Sequence, residues 1–78
     1  MRFNTDRMEE LNILALFDLS STQEGIKVHK AAGADAVAAT QRLHAQGLIT
    51  LKDGGYLTPS GVRAAEHARA LLAILVVS

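Results

Sequence analysis

The chain has 78 residues, no cysteine and a formal net charge of zero, and 49% of it is apolar. That length holds one domain and buries only about 60% of the unfolded chain's surface, so stability is marginal and self-association is the available aid. The missing cysteines exclude disulfides and thiolate-held zinc, allowing a cytoplasmic location, and the zero net charge argues against a strongly basic nucleic-acid binder.

The opening stretch, MRFNTDRMEELN, is charged where a secretory signal would be apolar. The spacing predicts a first helix starting near Asn4, Thr5 or Asp6, with Asp6 and Glu9 set as a capping box. Met8, Leu11, Leu14 and Ala15 recur at helical spacing, and Ile13, Leu16 and Phe17 make the second half apolar nearly all round. Such a helix end expects burial, partly by a partner chain. Asp18-Leu19-Ser20 reads as a break. Ser21-Thr22-Gln23-Glu24 then carries a second capping-box signature, which predicts a short helix running to about Lys30 and weakened by Gly25.

Ala31-Ala32-Gly33 reads as a turn. A third helix is expected from Ala34 or Asp35 to Gln46, capped by Asp35, with Ala36, Val37, Thr40 and Leu43 on its inner face and Gly47 as its stop. Leu48-Ile49-Thr50-Leu51 and Tyr56-Leu57-Thr58, joined by Lys52-Asp53-Gly54-Gly55, form a strong hairpin signal. Thr58-Pro59 sets a cap and an N1 proline in register for a last helix reaching Val76, with Val62, Ala65, Ala68 or Arg69, Leu72 and Leu75 on one face. The longest apolar run, Leu71 to Val77, is seven residues, against the ~20 needed to span a bilayer, so no membrane span is expected.

Helix, helix, turn, helix, hairpin, helix is the order of a winged helix-turn-helix, here one domain over residues 1–78, mainly α with a small β-hairpin. Gln41 to Thr50 and Asp53 to Gly61 resemble the core of the MarR/PadR-type winged helix superfamily. Leu43, Gly47-Leu48-Ile49, Leu57-Thr58 and Gly61 match that pattern in order and spacing. Along its whole length the chain is similar to a family of small, uncharacterised bacterial proteins described as DNA-binding. Leu14-Ala15-Leu16-Phe17, the segment Ser21 to His29 and Asp53 to Thr58 carry that likeness. The resemblance implies a transcriptional regulator that binds duplex DNA as a homodimer, with helix 35–46 in the major groove and hairpin 48–58 as wing.

Charge is unevenly spread. Residues 1–24 hold two Arg against five acidic side chains, whereas residues 25–52 hold Lys27, Lys30, Arg42 and Lys52 against Asp35 alone. Basic residues gathered in this way are a hint of a polyanion-facing surface. The candidate DNA contacts are Gln41 for an adenine edge, Arg42 for a guanine or a phosphate, and Lys27, His29, Lys30 and Lys52 for phosphates. The expected binding is weak and salt-sensitive. The alternative is a protein-interaction or dimerisation module on the same scaffold. An apolar strip made of Phe17, Leu71, Leu72, Ile74, Leu75 and Val76 would then be the interface, as it would in a DNA-binding homodimer.

No enzyme, cofactor or metal site is expected. His29, His44 and His67 fall on three different expected helices, with no pair at ligand spacing. Ser20, Ser21 and Ser60 read as caps and turn residues, and Asp53-Gly54-Gly55 lacks the lysine and following helix of a phosphate loop. Glu9 and Glu10 are adjacent on a helix and read as solvent face.

Overall fold

A computed structural model describes residues 2–21 and 23–76. The elements run α1 (Thr5–Leu14), β1 (Ile26–Lys27), one turn of 3-10 helix (Lys30–Ala32), α2 (Ala34–Ala45), β2 (Ile49–Leu51), β3 (Gly54–Leu57) and α3 (Pro59–Leu75). The fold is mainly helical with a small antiparallel sheet in the order β1-β3-β2.

α1 starts where its cap chemistry puts it, at Asn4, whose Oδ1 accepts the Arg7 backbone N–H at 2.9 Å. The capping box expected of Asp6 and Glu9 is not formed, because Asn4 already satisfies the free N–H of the first turn. After Leu14 the chain loosens, and the Arg69 guanidinium donates to the carbonyls of Ala15 at 3.2 Å and Phe17 at 2.7 Å. A cation at a helix C-terminus answers both the free carbonyls and the helix dipole. Asp18 then closes a local turn by accepting the backbone N–H and the hydroxyl of Ser20.

The expected second helix from Ser21 to Lys30 is absent among the described residues. β1 takes its middle and the 3-10 turn its end. Ile26 and Val28 are half-buried while Lys27 and His29 are exposed, a period of two that suits a strand. Ladder hydrogen bonds to β3, with Ile26 opposite Gly55 and Lys27 opposite Gly54, outweigh the local capping signal. α2 follows from Gly33, which makes no side-chain cap, so Asp35 sits in the first turn without the capping role expected of it.

α2 ends as expected. The N–H of Gly47 donates to the His44 carbonyl and that of Leu48 to the Leu43 carbonyl, both at 3.0 Å. This paired closure requires the left-handed backbone that Gly47 adopts at φ +76°. The chain thereby turns straight into β2. The hairpin closes over Lys52-Asp53, with Leu51 opposite Gly54 and Ile49 opposite Leu57, so β3 carries one extra residue as a bulge.

Thr58 joins these parts. Its N–H donates to the Leu48 carbonyl at 3.0 Å, its hydroxyl donates to the Gly47 carbonyl at 2.6 Å, and the same oxygen accepts the Gly61 N–H at 3.0 Å. Gly61 lies with the Leu48 carbonyl where a Cβ would be, so the first turn of α3 rests directly on the start of β2. Ile13, Leu14, Phe17, Ala39, Leu43, Ile49 and Ala65 form the buried core between α1, α2, β2 and α3.

α1 and α2 are also joined by charge. Glu10, only 7% exposed, lies on the same stripe of α1 as Ile13, Leu14 and Phe17, rather than on the solvent face expected of it. It accepts from Arg7 at 2.7 and 2.8 Å and from Arg42 at 2.6 Å. Burial pushes its carboxyl pKa up. The hydrogen bonds and positive charges of Arg7 and Arg42 more than offset that, and hold it below the usual carboxylate range.

Three outcomes are expected for stability. Glu10→Ala removes the short ion pair that joins Arg42 to α1 and costs about 2 kcal/mol, a fall of roughly 10 °C in Tm by calorimetry. Because the folded pKa of Glu10 is depressed, its contribution is complete above the unfolded value and lost as pH falls through the folded one. The gap between the wild type and Glu10→Gln in urea titrations therefore narrows below about pH 4. Gly61→Ala, which helix propensity alone would favour by about 1 kcal/mol, instead destabilises by about 1–3 kcal/mol, because the methyl meets the Leu48 carbonyl.

Candidate nucleic-acid interface

The hairpin tip and β1 meet through backbone pairing. Lys27 is opposite Gly54, and the Val28 N–H donates to the Asp53 carbonyl at 2.7 Å. This sets Lys27 on the strand beside the tip that carries Lys52, and the chain then continues directly into His29 and Lys30. All four side chains are exposed. The sheet register thus brings Lys27 to the tip that carries Lys52, and two more of the six expected DNA contacts, His29 and Lys30, follow it in the chain. Asp53 lies within the same tip, so the local surplus of positive charge is modest.

The other two candidates are on α2 and differ from one another. Gln41 is exposed on the outer face, whose remaining members are small: Ala34, Ala38 and Ala45, with Asp35 at the start. Arg42 is not outward as expected. Its guanidinium is turned to α1, where it is bound to Glu10, reaches the Asp6 backbone carbonyl at 3.3 Å and lies 3.8 Å from the Asp6 carboxylate. A buried carboxylate one helix away outcompetes solvent for this cation. The signal that could have revealed the pairing was in the sequence, because Glu10 precedes Ile13, Leu14 and Phe17 at the core spacing of a helix.

The apolar candidates also divide. Phe17 is 2% exposed and belongs to the core, because the turn after α1 folds it between the helices, so it cannot form part of an interface. Leu71, Leu72, Ile74, Leu75 and Val76 are all exposed. With Phe3, Met8 and Leu11 of the N-terminal segment, Leu71, Leu72 and Leu75 border an open groove of about 130 Å³ whose only polar lining residue is Asn12. A second, shallower hollow lies between α1 and the 3-10 turn, with Ile13 and Val28 at its base and Glu9, Lys27 and His29 at its edge.

The site can make charge-assisted contacts to a polyanion through flexible lysines. Its helix offers one amide and several methyl groups for base edges, so phosphate contact is its main resource. No curated protein and no solved structure matches the chain. The profile of a family of unknown function, DUF5669, matches residues 1–76, nearly the whole length, and the chain belongs to that family.

Proposed function

We propose that this is a small winged-helix protein that binds duplex DNA mainly through phosphates, acting as a transcriptional regulator of limited sequence preference. One observation carries the reading. The order helix, strand, short turn, helix and hairpin suits a winged helix whose second helix is reduced to one turn, and pairing with β3 sets Lys27 beside the tip that carries Lys52, with His29 and Lys30 next along the chain. In this reading the hairpin is the wing, and the 3-10 turn stands where a full second helix would be. The outer face of α2 approaches the major groove with Gln41 as its one base-reading side chain. With Arg42 committed to Glu10, base readout is slight and affinity follows the lysines.

Three lysines per copy give an expected slope of log K on log salt near −3, and a loss of roughly 40-fold between 50 and 200 mM salt. Fluorescence anisotropy of a labelled mixed-sequence duplex measures both. Lys27→Ala and Lys52→Ala should each weaken binding to every duplex alike and flatten the slope by about 1. Gln41→Ala should leave general affinity nearly unchanged. No binding at low salt by a folded sample overturns the proposal. That result would support the second reading, a protein-interaction module, which the bare apolar surface of α3 favours.

A further inference from the structure

α3 is only half supported. Gly61 and Ala65 are buried and Ala68 is half-buried, but every residue from Arg69 to Val76 is exposed, Ile74 and Leu75 each at 70%. Between Arg69 and Val76 there is no charged or polar side chain, so these two turns have no solvent-adapted face. A helix of this composition is stable in water only when something covers it. Its first neighbour is the groove against α1, equally apolar, whose far wall is Phe3 and Met8.

We infer that the cover is a second copy of this chain. The C-terminal half of α3 from each copy would lie in the α1–α3 groove of the other about a twofold axis. The molecule carries both halves of such a contact: the groove, and beside it the ridge of Ala70, Ala73 and Ile74, whose alanines let a second helix approach closely. A surface with ridge and groove side by side is self-complementary, as a twofold interface requires. Neither half is charged, which disfavours an acidic or basic partner and a membrane-surface role, where a cationic polar face would be needed. Among the described residues no helix is long and apolar enough to cross a membrane.

Area supports the same occupant. The chain exposes 5523 Å², whereas a compact monomer of 8.3 kDa exposes about 4,600 Å². The surplus of about 900 Å² is close to the ~800 Å² each partner contributes to a stable interface of standard size. The inference does not rest on the DNA reading, and its test contains no nucleic acid.

Sedimentation equilibrium over roughly 1–200 µM should give twice the 8.3 kDa chain mass at the upper end. Tm should rise with protein concentration, as it does when folding is coupled to association. Leu75→Glu should weaken association at least tenfold and keep its helical circular dichroism in the monomer, since the side chain is exposed there. If that variant fails to fold, Leu75→Ser read by concentration-dependent melting makes the same test. Three results would overturn the inference. One is a wild-type chain that stays monomeric and folded throughout. Another is a dimer indifferent to both substitutions. The third is a monomer that floats with phosphatidylcholine vesicles.

Discussion

The structure turns on Thr58. Its backbone and hydroxyl bond to the end of α2, the start of β2 and the first turn of α3 within a few ångströms. Three consecutive elements therefore share one joint, and the hairpin between them cannot change its angle without breaking it. Pro59 starts α3 at once, and Gly61 lets that helix sit directly against the Leu48 carbonyl. The Schellman closure at Gly47 feeds the same point from the other side. The Gly-Leu-Ile and Leu-Thr-Pro-Ser-Gly segments are thus two sides of one packing contact.

Around that joint the apolar core is small, with Phe17 and Leu43 its largest fully buried apolar side chains. Burial in so short a chain leaves little margin, and polar groups carry part of the tertiary structure. Arg69 ties α3 to the end of α1, and Glu10 ties α1 to α2 by gathering two guanidinium groups. Both devices commit arginines to folding. Of the four cations in the basic middle segment, the three lysines are exposed to solvent and have no carboxylate partner among the described residues.

That division shapes the proposed function. Lysines on mobile stems suit phosphates, whose positions they follow without fixed geometry, whereas an arginine held against a carboxylate loses the fork that would read guanine. The small outer face of α2 points the same way. At the opposite end of its chemistry, the uncovered half of α3 is a surface with no charge, fitted to another apolar surface. One small protein thus carries both a sparse cationic tip and a neutral apolar face, the two surfaces on which the proposals rest.

The sequence by itself determined most of the local structure. The stop at Gly47, the hairpin between Leu48 and Thr58 and the start of α3 at Thr58-Pro59 each rest on chemistry within a few residues, so they could be read directly. The first cap is narrowed only to Asn4, Thr5 or Asp6, and the expected turn is two residues too long, since Gly54 and Gly55 belong to β3. The segment Ser21 to Lys30 misled, because its capping signature is local while the strand that forms there depends on β3, nearly thirty residues on. The alternation of Ile26, Lys27, Val28 and His29 was the trace of that strand. At the candidate site, the exposure of the lysines followed from their type, but the approach of Lys27 to the Lys52 tip came from sheet register. Only the tertiary structure decided the fate of Arg42, Glu10 and Phe17. The spacing of Glu10 with Ile13, Leu14 and Phe17 marks it for the buried stripe, but which cation it captures, 32 positions away, and whether the core or a partner covers Phe17, are settled by contacts between elements.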